Sequence, residues 1–131
     1  MHEDIRWKQR FENFEKALSL LRRINEIKEP SEAENMGLIQ AFEIAFELSW
    51  KCLKDYLEEQ GHKINSPRDT IKQAFQSELI TEGQLWLEAL ENRNRTAHLY
   101  DETKVAEITD MIRRQYVELL ESLYQILKSE R

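Results

Sequence analysis

The sequence predicts an all-α fold: an antiparallel up-down four-helix bundle with one short extra helix. Spacing, helix breakers and composition each point to it. Apolar residues recur at alternating spacings of three and four over long segments, the period of one stripe on an α-helix. Only three glycines and two prolines interrupt 131 residues, too few for a turn-rich β architecture. Hydrophobic residues make up 40% of the chain and charged residues 34%, with both signs interspersed, the mix of buried stripes and solvated faces. The length fits one helical domain over residues 1–131.

The first helix is expected from about Asp4 to Lys28, with Trp7, Phe11, Phe14, Leu18, Leu21 and Ile24 on one stripe. Pro30 ends it, because the residue before proline is pushed out of the α region. Ser31 and Glu34 have the spacing of a capping box, which opens a second helix running to about Gln60, with Gly61 as its stop. In its centre Phe42, Phe46 and Trp50 form an apolar row. Glu43, Glu47 and Lys51 form a charged row beside it, with Glu47 and Lys51 in the favourable order for an i,i+4 pair. That charged row is either a solvated edge or a set of groups facing a polar site on a neighbouring helix.

Ser66-Pro67 marks a third, short helix, with serine at the cap, proline at the first helical position and Asp69 in the first turn. Ile71, Ala74 and Phe75 are expected inward. Thr81 and Glu82 open a fourth helix whose inner face is Leu85, Trp86, Ala89 and Leu90. Asp101 or Thr103 then caps a long final helix with the stripe Val105, Ile108, Ile112, Tyr116, Leu119, Leu123 and Ile126. The aromatic faces of the first two helices are wider than one small bundle needs, so a homodimer is expected to cover the excess.

Composition excludes several classes of function. A net charge of −6 does not suit a general nucleic-acid coat protein, which needs clustered Lys and Arg; it leaves room for a small basic site. The lone Cys52 can form no intrachain disulfide and sits in an apolar helical stretch, so it reads as core. With no disulfide framework and no apolar leader in Met-His-Glu-Asp, the expected setting is the cytoplasm. No apolar run approaches the ~20 residues that span a bilayer. No zinc-type His/Cys spacing and no phosphate-cradling glycine loop occur, so no metal or cofactor is expected.

The chemistry concentrates in Arg93-Asn94-Arg95-Thr96-Ala97-His98-Leu99-Tyr100, near a helix end. His2 and His62 read as exposed and silent beside it. On an ideal helix Asn94 and His98 share a face, whereas Arg93 and His98 diverge by roughly 140°. The group therefore makes best sense if the helix frays or turns near Ala97 to Tyr100, and Asp101, a capping type, supports an end there. Asn94 can then orient His98 and fix its tautomer. An arginine that neutralises a phosphate and a histidine that moves a proton suit phosphodiester chemistry without metal. The bland reading also stands: arginine and histidine near a helix C-terminus favour the dipole.

The octapeptide resembles the Arg-x4-His-x-Tyr signature of HEPN domains, in particular the small prokaryotic proteins paired with a minimal nucleotidyltransferase. Phe42-Glu43-x-x-Phe46-Glu47-Leu48-x-Trp50-Lys51, Ser66-Pro67-Arg68, Trp86 and Arg93-Asn94-x-Thr96-x-His98-x-Tyr100-Asp101 follow that family in order and spacing, from about Phe14 to Leu127. The resemblance implies a dimeric four-helix bundle and, in many members, a toxin that cuts RNA in a cleft between two protomers. It implies that Arg93 and His98 are the catalytic pair, with Asn94 in support. Arg95 is an extra basic residue within the signature that would add substrate affinity. It also implies a nucleotidyltransferase antitoxin that transfers AMP to Tyr100. The resemblance leaves the roles of Glu43, Glu47 and Lys51 open. The competing expectations are a non-catalytic subunit that binds a nucleotide or substrate for a nucleotidyltransferase, and a purely structural helical module.

Overall fold

The computed structural model describes residues 2–96 and 101–130, with side chains from residue 6 onward. The described residues are helices joined by short turns. They comprise α1 (His2–Asn25), α2 (Glu32–Glu59), α3 (Pro67–Gln76), α4 (Gly83–Arg95), α5 (Glu102–Met111), a π-helical turn (Ile112–Tyr116) and α6 (Val117–Glu130). α1 and α2 run antiparallel: Trp7 lies on Tyr56 at one end, and Asn25 and Asn35 meet Arg113 at the other. With α4 and the long α5–α6 element they enclose the core, and α3 is the short extra helix. The four-helix expectation therefore holds.

Local signals set most boundaries. The Ser31 side chain accepts from the Glu34 amide while Glu34 accepts from the Ser31 amide, so the capping box is complete. Gly61 takes a φ of 98°, a left-handed stop that a Cβ would strain. Ser66 caps α3 and Pro67 begins it. Asp101 caps α5 by accepting from the Thr103 amide.

Four expectations need correction. α1 ends at Asn25, three residues before Lys28. The Glu26 and Ile27 amides fold back onto Arg22, Arg23 and Ile24 carbonyls, and Glu29 turns left-handed with φ 52°. α4 opens at Gly83 rather than at Thr81 and Glu82, and Glu82 stands before its first residue without a side-chain cap bond. Phe75 is 53% exposed and lies over Gly83, where an added Cβ would come within 3.1 Å of its ring. The final helix is not continuous. At Ile112–Tyr116 the Val117 amide reaches back to the Ile112 carbonyl, five residues away. The extra residue turns Leu120, Tyr124 and Leu127 into the core beside Leu119 and Leu123, while Ile126 is only partly buried.

The core holds the expected stripes. Phe11, Phe14, Phe42 and Phe46 are fully buried within the chain, each worth roughly 1.5–3 kcal/mol of transfer free energy. Among the described residues Trp7, Phe11, Phe14, Phe42 and Phe46 of the aromatic rows thus pack inside the chain's own bundle, and Trp50 is partly buried. Among the described residues the large hydrophobics that stay exposed are Leu20, Met36, Ile44 and Phe75. Rings run in a chain across the molecule: Trp86 on Phe46 at 5.7 Å, Phe46 on Phe42 at 5.6 Å, and Phe42 stacked on Tyr116 at 5.4 Å. This row fixes how deeply α4 sits against α2 and the π turn. No helix among the described residues is long and apolar enough to cross a membrane.

Candidate functional site

α4 ends at Arg95, and Thr96 caps it with both its amide and its hydroxyl on the Arg93 carbonyl, the hydroxyl at 2.6 Å. α4 therefore ends inside the signature. His98 and Tyr100 lie outside the described residues.

Arg93 faces α2. Its Nε stands 3.8 Å from Glu47 Oε2, and its side chain is 28% exposed. Glu47 is held from two other sides, by Trp50 Nε1 at 3.0 Å and by Lys51 Nζ at 3.3 Å. The spacing of Glu47 and Lys51 thus gives the expected i,i+4 pair, and Glu47 also reaches across to a neighbouring helix. Gln40, Glu43, Ile44, Glu47, Leu48 and Arg93 line one shallow depression of about 380 Å³. The structure so brings together Arg93, Glu43 and Glu47, with Lys51 attached through Glu47. It does not bring in Arg95, which is exposed and pairs with Glu91 at 2.9 Å along its own helix. Asn94 is exposed.

Sequence reasoning missed the group behind Arg93. Asn92 Nδ2 donates to the Tyr116 hydroxyl at 2.6 Å, and that hydroxyl donates to Glu88 Oε1 at 2.9 Å. Burial pushes the Tyr116 hydroxyl well above the usual phenol range, so it stays a protonated donor. The available signal was that a tyrosine in a core stripe needs a polar partner; which partner depends on tertiary packing.

Other chemistry-bearing residues sit elsewhere. Cys52 is fully buried, and burial pushes its thiol up to about 12, so it is poorly placed to act as a nucleophile. His62 is partly buried rather than fully exposed and lines a separate depression with Asp55 and Lys63. Among the described residues no three His, Cys, Asp or Glu side chains gather as metal ligands would.

Comparison with known proteins adds to this geometry. Residues 9–129 match the family described as "Nucleotidyltransferase substrate binding protein like". A Haemophilus influenzae protein named "Probable ribonuclease HepT" is 32% identical over an alignment 99 residues long, which covers 68% of this chain and 66% of that protein. The match thus spans just under two thirds of that relative's length. A crystal structure from Thermus thermophilus is 33% identical, superposes with a TM-score of 0.82, and is matched over 88% of this chain and 98% of its own. The fold, the order of the sequence segments and the family match agree: this chain belongs to the HEPN-type family of nucleotidyltransferase substrate-binding-like proteins.

Proposed function

We propose that this chain is a metal-independent endoribonuclease toxin, silenced when a minimal nucleotidyltransferase antitoxin transfers AMP to Tyr100. The observation that carries the reading is Arg93, held at the end of α4 beside a shallow open depression and directed at a carboxylate in place of a phosphate. The relative named as a ribonuclease supports it.

In the proposed reaction the substrate's 2′-oxygen attacks the adjacent phosphorus, and the P–O5′ bond breaks to leave a 2′,3′-cyclic phosphate. One proton leaves the 2′-hydroxyl and one reaches the 5′-oxygen. Arg93 neutralises the phosphate and the charge that develops on it. His98 transfers the proton. One histidine does not readily serve as base and acid together, so two copies in a homodimer divide the roles. Asn94 orients His98, and Arg95 adds phosphate affinity at the rim. Glu47, with Lys51 behind it, holds Arg93 before substrate arrives, and Glu43 lines the same depression. AMP on Tyr100, seven residues on from Arg93 in the same signature, adds a negative charge that opposes entry of RNA phosphate.

Two observations favour a second reading, a non-catalytic subunit that binds nucleotide or substrate for a nucleotidyltransferase. One is the family description itself, and the other is the net charge of −6. Co-expression tests the proposal. Alone, the chain should arrest growth. With its nucleotidyltransferase the arrest should lift and the chain should gain the mass of one AMP group. Tyr100→Phe should stay toxic and unmodified. A chain that is harmless when produced alone and unmodified favours the second reading.

A further inference from the structure

The last turn of α4 has to present Arg93 to the depression on α2, and apolar contact alone does not fix its rotation. α4 meets α2 through Trp86 on Phe46, and hydrophobic contact is non-directional. Arg93 lies two turns further on, in the last turn of α4, which ends at Arg95. Something has to set the direction of that turn.

Tyr116 supplies the direction. Its ring is fully buried and stacked on Phe42, and its hydroxyl is bonded on both sides, to Asn92 and Glu88. Glu88 and Asn92 are four residues apart, so they stand one above the other on a single face of α4. Arg93, the next residue, lies about 100° further round the axis. Turning the Glu88–Asn92 face to Tyr116 therefore turns Arg93 toward α2, where it meets Glu47. Hydrogen bonds are directional in a way the aromatic row is not.

Tyr116 is also placed unusually. It closes the π turn, and such turns recur at functional sites. The same turn carries Arg113, whose guanidinium bonds Asn35 Oδ1 at 2.8 Å and Asn25 Oδ1 at 3.5 Å. One turn thus ties the α1–α2 corner through Arg113 and the end of α4 through Tyr116.

We infer that Tyr116 is a positioning residue of the Arg93 site: by holding Glu88 and Asn92, its hydroxyl sets the rotation of α4 that aims the Arg93 guanidinium into the depression. Tyr116 acts through α4 and touches no substrate. Only the catalytic consequence rests on the ribonuclease reading; the orientation of Arg93 does not.

Tyr116→Phe tests this, because it keeps the ring on Phe42 and removes only the hydroxyl. The first readout is the Arg93 Nε–H resonance in a 1H–15N spectrum, assigned through Arg93→Lys. It should be displaced in Tyr116→Phe, displaced likewise in Asn92→Ala, and displaced no further in the double variant, since both changes act through one contact. The second readout is RNA cleavage, where kcat should fall about 10- to 100-fold with KM nearly unchanged. An Arg93 resonance that stays in place in Tyr116→Phe overturns the inference, whatever happens to RNA. A displaced resonance with unchanged kcat overturns its catalytic consequence. A displaced resonance in a protein whose parent cuts no RNA counts against the ribonuclease reading and supports the positioning role.

Discussion

Arg93 Nε and Glu47 Oε2 stand 3.8 Å apart, at ion-pair distance but beyond a hydrogen bond, and among the described residues the buried Nε has no other hydrogen-bond partner. The arginine is held loosely by a carboxylate that Trp50 and Lys51 already engage. A phosphate oxygen can therefore displace that carboxylate and gain the stronger, bidentate contact.

Removing the guanidinium should cost chemistry rather than stability. Arg93→Ala is expected to lower kcat about 10²- to 10³-fold, the usual effect of losing one preorganised donor. Arg93→Lys should recover only part, since it keeps the charge and loses the planar fork. A part-exposed pair contributes about 1 kcal/mol or less, so thermal melts should shift by only a few degrees. A large loss of stability in Arg93→Ala would assign the residue to the fold.

Glu47→Gln should strengthen RNA binding while weakening catalysis. A unit negative charge about 4 Å away opposes phosphate by about 1 kcal/mol in water, so affinity for a non-cleavable 2′-O-methyl RNA should rise several-fold. The variant should cleave more slowly because its arginine is less fixed. Weaker binding would mean that Glu47 contacts the RNA favourably rather than competing with it.

Asp55 gives a pH signature at the far end of α2. Its Oδ2 lies 2.9 Å from Arg10 Nε, yet burial raises its carboxyl above the usual range more than Arg10 lowers it. A carboxyl whose folded pKa exceeds its unfolded one gives stability that is complete below the unfolded value and is lost as pH rises through the folded one. Asn has no such proton to lose. The stability of Asp55→Asn relative to the parent should therefore improve as pH rises from about 3 to 7. Denaturant melts across that range check it, and a relative loss with rising pH would mean that the Arg10 pair dominates.

Cys52 should be chemically silent. Its thiol donates to the Trp7 carbonyl at 3.6 Å inside the core. Alkylating reagents at pH 8 should leave the folded protein unlabelled and its activity unchanged, and should label it fully in denaturant. Cys52→Ala should cost about 1–2 kcal/mol through the lost packing. Rapid labelling of the folded chain would contradict this burial.

What the sequence revealed was local. Ser31 with Glu34, Ser66 with Pro67, and Asp101 announce helix starts because each cap needs only neighbouring residues. The stripe from Trp7 to Leu21 announces a core because its period is that of a helix. The end of α1 was misplaced because Pro30 restrains only the residue before it, while the chain had already turned at Asn25. The π turn was hidden because one extra residue leaves an apolar pattern plausible on either side of it. The site was half legible. Arg93 stood out as a residue type, but the role of Glu47 stayed open until α4 was docked against α2. The bond between Asn92 and Tyr116 joins residues 24 apart in sequence, beyond the reach of any local pattern.

Metal-independent cleavage of RNA by the signature can be checked in one assay. The purified chain, shown by mass spectrometry to carry an unmodified Tyr100, is incubated with RNA in excess chelator beside its His98→Ala variant. The parent should cut RNA to 2′,3′-cyclic phosphate ends and the variant should not, with the helical spectrum unchanged. No cleavage by the unmodified parent, or equal cleavage by both proteins, would contradict it.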